Sequence, residues 1–211
     1  MEDRNRLRTA LRAAYERFLA AVDGFEPVVL ETDPAVGSWS ARDVAGHLAD
    51  WTGETLDAVE HILGGPRPRG QPISHAQSYN AMRAAVRGID PWPAAAADLA
   101  AAVERAQALI ERLEPEQLRA IGPYPRGEIG SVERLLEGLI AHVDEHAAAL
   151  ADWRLRQLGP PPERQRGRER ERAAREAAAR RGKAWRTGSR SRGSGTSRGR
   201  GSGRSGSANR S

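Results

Sequence analysis

The sequence contains no cysteine and no long hydrophobic run. Without cysteine, the 211-residue chain cannot form a disulfide, a cysteine-ligated zinc site, an iron–sulfur cluster or a thiol nucleophile. No apolar stretch approaches the roughly 18–20 residues that a membrane span requires. A signal peptide would not begin with a stretch as charged as MEDRNRLRTALRAAYERF. We therefore expect a soluble, cytoplasmic protein. The sequence also has no P-loop and no GxSxG or GxGxxG motif after a strand, so it gives no support for a serine hydrolase or a nucleotide-binding protein.

Charge divides the chain into two parts. Residues 1–155 hold 16 basic and 24 acidic side chains, a net charge of −8, whereas residues 156–211 hold 17 and 4, a net charge of +13. The second part is rich in Arg, Gly and Ser and has almost no large apolar side chains, so it cannot bury enough surface to fold alone. We therefore predict a folded domain over residues 1–157 and a disordered basic tail over residues 158–211.

The predicted domain has the periodicity of amphipathic helices. Its apolar side chains recur at spacings of three and four residues, as one buried helix face requires. The predicted helices cover about 4–24, 40–62, 74–113 and the segment that begins at 131. Ser40 and Asp43 form a capping box at the start of the second helix, and the prolines of Asp90–Pro93 interrupt the third. The sequence therefore predicts an all-α four-helix bundle with an interrupted third helix.

Two histidines on the last predicted helix point the same way. His142 and His146 stand four residues apart, which places their imidazoles about 6 Å apart on one helix face. They belong to an inward stripe with steps of three and four residues: Leu135, Leu139, His142, His146, Leu150 and Trp153. On the second helix, His47 lies three residues after Val44 and four before Trp51, so it also faces inward or sits at the edge of that face.

Three neutral imidazoles can hold a divalent metal ion and leave further positions for water or substrate. Such an open site is typical of catalysis, because the ion acts as a Lewis acid or lowers the pKa of water. We therefore predict a metal site formed by His47, His142 and His146. The alternative is that these histidines belong to the core or its rim and are satisfied by hydrogen bonds. Imidazole suits several transition metals, of which we expect zinc or nickel.

Acidic residues near the histidines are candidates for proton transfer, although none is assigned a catalytic role. Glu54 lies seven residues after His47 and shares its helix face, so it is the candidate for a catalytic or pocket-shaping carboxylate. Asp50 lies one turn after His47 and is a candidate for supporting it. By helical angle, Asp144 and Glu145 face away from the inward stripe and are expected to be solvated.

The remaining histidines and the tryptophans are expected to have structural roles. His61 and His75 lie near predicted loop boundaries and are not expected to bind metal. Trp39 and Trp51 are expected to pack in the core or to anchor loops rather than to stack on a substrate.

The segment Ser38–Trp51 resembles the W-S/T-x-x-[DE]-[VL]-x-x-H-[LI]-x-x-[WY] signature of the DinB-like superfamily. The later HxxxH of residues 142–146 matches that superfamily's motif on its final helix. Tyr79–Ala81 and Pro91-Trp92 are similar to the middle of its ClbS/DfsB and YfiT-like members. The resemblance covers about residues 5–155.

This resemblance implies an up-and-down four-helix bundle, often dimeric, in which His47, His142 and His146 hold a divalent metal. The superfamily includes mycothiol-dependent maleylpyruvate isomerases, thiol transferases of the bacillithiol and mycothiol type, a genotoxin-resistance cyclopropane hydrolase and metal-dependent hydrolases. The resemblance therefore implies a hydrolase or thiol S-transferase that activates water or a low-molecular-weight thiol toward a small-molecule substrate. Fold and site do not select among these reactions.

A second hypothesis treats the bundle as non-catalytic and assigns the function to the basic tail. Its net charge of +13 can neutralise nucleic-acid phosphates, and such binding is non-specific and steeply salt-dependent. Trp185 is the tail's single aromatic residue, so base stacking contributes little. A GC-rich reading frame translated past its true end would give the same Arg, Gly and Ser composition.

A salt titration against nucleic acid, with and without residues 156–211, tests the tail hypothesis. If the tail acts on nucleic acid, we expect weak binding that is lost when the tail is removed and also when the salt concentration is raised. Binding that survives removal of the tail contradicts it.

Overall fold

The computed structural model describes residues 2–88 and 90–159. Within these residues the chain forms seven helices and one two-stranded hairpin. The elements are α1 (Glu2–Val22), α2 (Pro27–Thr32), α3 (Ala41–Ile62), α4 (Ala76–Arg87), α5 (Trp92–Arg112), α6 (Pro115–Arg119), β1 (Ile121–Pro123), β2 (Ile129–Ser131) and α7 (Val132–Leu158). The first compact unit of the chain ends at Gly159. The disordered tail predicted from residue 158 lies, from residue 160 onward, outside the described residues.

The four long helices α1, α3, α5 and α7 form a four-helix bundle, as predicted. Helix α1 packs against α7 and α5, and α3 packs against α5 and α7. Helices α1 and α3 therefore lie diagonally across the bundle, although they are the first two bundle helices in the sequence. This arrangement places α3 beside α7, which is the contact that the three histidines need. None of the described helices combines the length and the apolar character needed to cross a membrane.

The bundle core is built from the apolar stripes that the periodicity indicated. Its largest fully buried side chains include Leu7, Leu11, Phe18, Leu48, Leu56, Leu99, Ile110, Leu136, Leu150 and Trp153. Burying each such side chain contributes about 1.5–3 kcal/mol. Trp153 also stacks on Phe25, with the ring centroids 4.5 Å apart, which fixes the end of α7 against the chain that follows α1.

Side-chain caps set the starts of the two helices that carry the histidines. The Ser40 hydroxyl accepts a hydrogen bond from the Asp43 amide at 3.2 Å, and the Asp43 carboxylate accepts one from the Ser40 amide at 3.0 Å. The predicted capping box of α3 is therefore confirmed. The Ser131 hydroxyl accepts from the Arg134 amide at 3.2 Å and begins α7. These caps fix which residues of α3 and α7 face each other.

The segment predicted as an interrupted third helix consists of two separate helices. The break lies where expected, because Pro91 precedes α5 and Trp92 and Pro93 occupy its first turn. Helix α5 is the third helix of the bundle, whereas α4 packs outside it against α3. Helix α4 has no buried residue, so polar contacts rather than an apolar face hold it in place.

A short β-hairpin precedes α7. Its strands pair antiparallel, with Gly122 opposite Gly130. This segment falls between the predicted helices and shows no strand pattern, because glycine and proline dominate it and each strand has only three residues. The Ile73 amide donates to the Pro125 carbonyl at 2.7 Å and ties the loop before α4 to the hairpin. The hairpin therefore has a fixed place beside the first turns of α7.

Candidate metal centre

The structure brings together the three histidines that the sequence singled out. The Nε2 atom of His142 lies 3.0 Å from that of His47 and 3.2 Å from that of His146. One potential ligand nitrogen from each residue lies within 4.8 Å of the other two. Among the described residues, this is the one group of three or more histidine, cysteine or acidic side chains with such a geometry.

Packing of α3 against α7 creates this convergence. His142 and His146 lie one turn apart on α7, and their ring centroids are 4.9 Å apart. The His47 ring, from α3, meets both of them at near-perpendicular angles, with centroid distances of 4.9 and 5.1 Å. The Nε2 atoms of His47 and His146 thus both approach the Nε2 atom of His142.

Burial keeps the three imidazoles neutral. Removal from water lowers the pKa of His47 to about 3, and repulsion from His142 and His146 adds to this effect. Burial and the proximity of His146 lower the pKa of His142 to about 4. Burial also lowers the pKa of His146, while the nearby Glu145 charge acts in the opposite direction. At neutral pH the rings are therefore uncharged and keep lone pairs free for coordination.

The donor set fits a divalent transition-metal ion. Nitrogens that lie about 2.0–2.1 Å from a tetrahedral zinc ion are separated from one another by about 3.3 Å. The two shortest Nε2–Nε2 distances here, 3.0 and 3.2 Å, are close to that separation. A neutral imidazole carries one N–H, so the three rings cannot satisfy all of the converging nitrogens by hydrogen bonds to one another. The alternative of core histidines that satisfy one another is therefore the poorer fit.

The histidines line an open cleft of about 860 Å³. Its walls come from α3, α4, the hairpin and the first half of α7. Two of its aromatic side chains, Trp39 and Trp51, meet the His47 ring edge to face, with centroid distances of 4.8 and 6.4 Å. These tryptophans were expected to serve packing alone. Their position beside His47 gives them a second role, because they support the imidazole and form the apolar lining of the cleft.

Glu54, the candidate carboxylate from the sequence, is hydrogen-bonded to α4 and to the loop that precedes it. Its carboxylate accepts hydrogen bonds from the Gln71 amide at 2.8 Å and the Tyr79 hydroxyl at 3.0 Å. Burial and the Glu54 charge raise the pKa of Tyr79, so this hydroxyl stays protonated and keeps donating. Glu54 is not among the residues that line the cleft. The structure therefore gives Glu54 a supporting position: it bonds to Tyr79, whose ring contacts Trp51 edge to face with the centroids 5.2 Å apart.

The two acidic residues between the α7 histidines differ from each other. Asp144 accepts a hydrogen bond from Arg17 of α1 at 2.6 Å and so faces away from the cleft, as expected. Glu145 is exposed to solvent, also as expected, but it lines the cleft. By helical angle Glu145 was expected to face away from the inward stripe, whereas it lies at the rim of the cleft next to His146.

A buried carboxylate fastens α4 to α3 beside the site. Asp50 accepts hydrogen bonds from Arg87 at 2.9 and 3.1 Å and another from Arg83, and its side chain is 3% exposed. Burial opposes ionisation of Asp50, but the bonds from Arg83 and Arg87 outweigh it and hold its pKa below the ordinary value. The Trp51 indole donates to the Asn80 side chain at 2.8 Å in the same contact. These polar contacts position the α4 wall of the cleft.

We expect Asp50→Asn to destabilise the protein by about 2 kcal/mol, because it removes the buried charge that two partly buried guanidinium groups share. Urea unfolding measures the difference. Asp98→Asn is the matched control, since Asp98 also accepts from Arg87, at 2.6 Å, but is 55% exposed. Its loss should change stability by less than about 1 kcal/mol. Equal effects of the two substitutions would contradict the role assigned to Asp50.

Sequence comparison identifies a family over most of the bundle. The sequence model of the DinB superfamily matches residues 10–150. None of the curated proteins matches the sequence.

Solved structures with the same fold include several bacterial proteins. YfiT from Bacillus subtilis, described as a probable metal-dependent hydrolase with an unusual four-helix bundle topology, superposes with a TM-score of 0.61 at 21% identity, covering 76% of this chain and 90% of YfiT. The colibactin self-resistance protein ClbS, in complex with a dsDNA, gives a TM-score of 0.59 at 14% identity, with 71% and 94% coverage. An uncharacterised protein from Clostridium difficile 630 gives 0.58 at 12% identity, with 72% and 96% coverage. These similarities establish the fold.

Proposed function

The chain belongs to the DinB superfamily, and its fold brings three neutral histidines together in an open cleft; we therefore propose that it is a metal-dependent hydrolase. His47, His142 and His146 hold the divalent ion, for which zinc and nickel are the expected choices. The observation that carries this proposal is the approach of the three Nε2 atoms. The description of YfiT as a probable metal-dependent hydrolase supports the same reaction class.

The chain's own residues prepare the site for hydrolysis. When bound, the ion supplies Lewis acidity and lowers the pKa of water toward neutrality. Burial keeps the three imidazoles unprotonated, and Trp39 and Trp51 hold the His47 ring in place. Glu145 lines the cleft beside His146, and we assign to it the acceptance of a proton from an attacking water. The cleft is wide enough for a small-molecule substrate.

The same arrangement suits a second nucleophile. A low-molecular-weight thiol such as mycothiol can replace water in the cleft, and the protein would then act as a thiol S-transferase. The two reactions share the metal site and differ in the nucleophile. An assay must therefore include a thiol as well as water.

Activity should follow the metal. We expect chelator-treated protein to lose turnover of a panel of esters, amides and strained-ring compounds, and zinc or nickel to restore it. Each assay is run with and without a low-molecular-weight thiol, and product analysis identifies the nucleophile. Turnover that is unchanged after the metal is removed would contradict the proposal.

A further inference from the structure

A straight stripe on α7 leads away from the histidines along the cleft. Arg134, Gly138 and His142 are spaced four residues apart and therefore share one face of the helix, and all three line the cleft. Eight residues of α-helix separate Arg134 from His142, a distance of about 12 Å along the axis. The cleft thus extends well beyond the metal ligands and ends near a cationic side chain.

Gly138 forms the middle of this stripe. Glycine in a helix interior weakens the helix relative to alanine, so its presence calls for a reason. A Cβ atom added at Gly138 would meet no other part of the described protein within 4 Å, so close packing of the chain does not require glycine here. Leu135 and Leu139 flank the position and also line the cleft. The glycine therefore leaves an open trough with apolar sides between Arg134 and His142.

The far end of the trough carries positive charge that is not neutralised by an ion pair. Within residues 2–88 and 90–159, no carboxylate lies within 4.0 Å of the Arg134 guanidinium, although ion pairs join many of the other arginines. The Ser131 cap uses the Arg134 backbone amide and leaves its side chain free. Arg126 and Glu128, in the hairpin, also line the cleft, and their side chains lie 4.0 Å apart, so their charges offset each other and, among the described residues, Arg134 is left as the unpaired charge at this end. A cationic group beside an apolar trough is the environment that an anion with an apolar body would occupy.

We propose that the cleft binds an elongated small molecule with one anionic end, its charged group on Arg134, its apolar middle over Gly138 and its reactive bond at the three histidines. This inference rests on the proposed function for the reaction, but not for the binding. The substrate class is a carboxylate or similar anion that is long enough to span the roughly 12 Å of helix axis between Arg134 and His142. Arg134 is thus a specificity-determining residue, and Gly138 sets the depth of the trough.

Titration calorimetry with the full-length, metal-free protein tests the inference. Without a metal ion, a carboxylate probe cannot bind by coordination to the metal. The probes are ω-phenylalkanoates from 3-phenylpropionate to 8-phenyloctanoate, each compared with the alcohol of the same length. We expect the best carboxylate to bind at least about tenfold more tightly than its alcohol, since a charge-assisted hydrogen bond contributes to the carboxylate alone. Arg134→Gln should abolish this difference.

Two further variants separate the parts of the site. Arg105→Gln removes another exposed arginine, on α5, that is not part of the cleft, and it should bind the probes as the unchanged protein does. Gly138→Leu should weaken both the carboxylate and the alcohol at least about tenfold, because its side chain fills the trough, while Tm does not fall. Thermal unfolding of each variant confirms that the fold is kept.

Three results would overturn the inference: equal binding of carboxylates and alcohols, unchanged carboxylate binding by Arg134→Gln, or no binding across the whole series. Metal content is measured in parallel. If the unchanged protein binds metal but shows no preference for carboxylates over alcohols, the proposed substrate class is rejected and the hydrolase proposal is not. Anion binding by a protein that takes up no metal rejects the hydrolase proposal and leaves the anion site standing.

Discussion

Replacing His142 and His146 together with alanine is expected to abolish metal binding. The double variant retains one of the three imidazoles, and a single histidine does not hold a divalent ion through desalting. After reconstitution with zinc or nickel and removal of the free ion, we expect about one metal per chain before the substitution and less than about 0.1 after it. Elemental analysis of the purified protein gives both numbers.

The matched control removes the other two histidines. His61 bonds to the Gly65 carbonyl at the end of α3, and His75 precedes α4 and is exposed. A His61→Ala/His75→Ala variant loses the same number of imidazoles and should keep its metal. Metal retained by the His142→Ala/His146→Ala variant, or lost equally by both, would show that the ion is bound elsewhere.

Zinc binding at pH 6.0 is expected to release fewer than one proton per chain. Histidines with an ordinary pKa near 6.5 would be about three-quarters protonated at this pH, and coordination by three of them would displace more than two protons. Burial instead lowers the pKa of His47 to about 3 and that of His142 to about 4. These rings are already neutral at pH 6.0, so the ion has little to displace.

Titration calorimetry in two buffers with different ionisation enthalpies measures this release. The direction of the shifts also predicts the internal control. As the pH falls to 4.0, His142 becomes partly protonated, so the number of protons released on binding should rise. Release of two or more protons at pH 6.0 would mean that the three imidazoles are solvated, and it would contradict the buried arrangement described here.

The positions of the three histidines could be predicted from the sequence because helical periodicity is a local property. Ser40 and Asp43 fix the start of α3, and the apolar steps around His47 then determine which way it faces. The four-residue spacing of His142 and His146 needs no tertiary information to place both on one face. Periodicity shows which face of each helix is buried, but it does not show which helices are neighbours in the bundle. The packing of α3 against α7, which brings His47 to the other two histidines, could therefore not be predicted from it.

The other walls of the cleft could not be predicted in this way. Helix α4 has no buried stripe, and what positions it is a set of polar partners distant in sequence, such as Trp51 with Asn80 and Asp50 with Arg87. The hairpin strands are too short and too rich in glycine to show a strand pattern. Contacts of this kind become visible only once the long helices have been assembled.

One residue in the sequence does indicate the contact between α3 and α4. Gly46 stands inside α3, where glycine weakens a helix. A Cβ atom at this position would lie 2.8 Å from Cδ of Arg87, so the glycine leaves room for the arginine to reach Asp50. A glycine one turn before a buried carboxylate can therefore indicate a side chain that crosses the helix. Gly138, inside α7, differs from Gly46, because a Cβ atom there would meet nothing else in the described protein within 4 Å.

Crystallography of the zinc-loaded, full-length protein, with data collected at the zinc absorption edge, locates the bound ion. We expect one strong anomalous peak per chain, at about 2.0–2.1 Å from the Nε2 atoms of His47, His142 and His146. A peak at any other group of side chains, or no peak near these three nitrogens at saturating zinc, would contradict the proposed metal site.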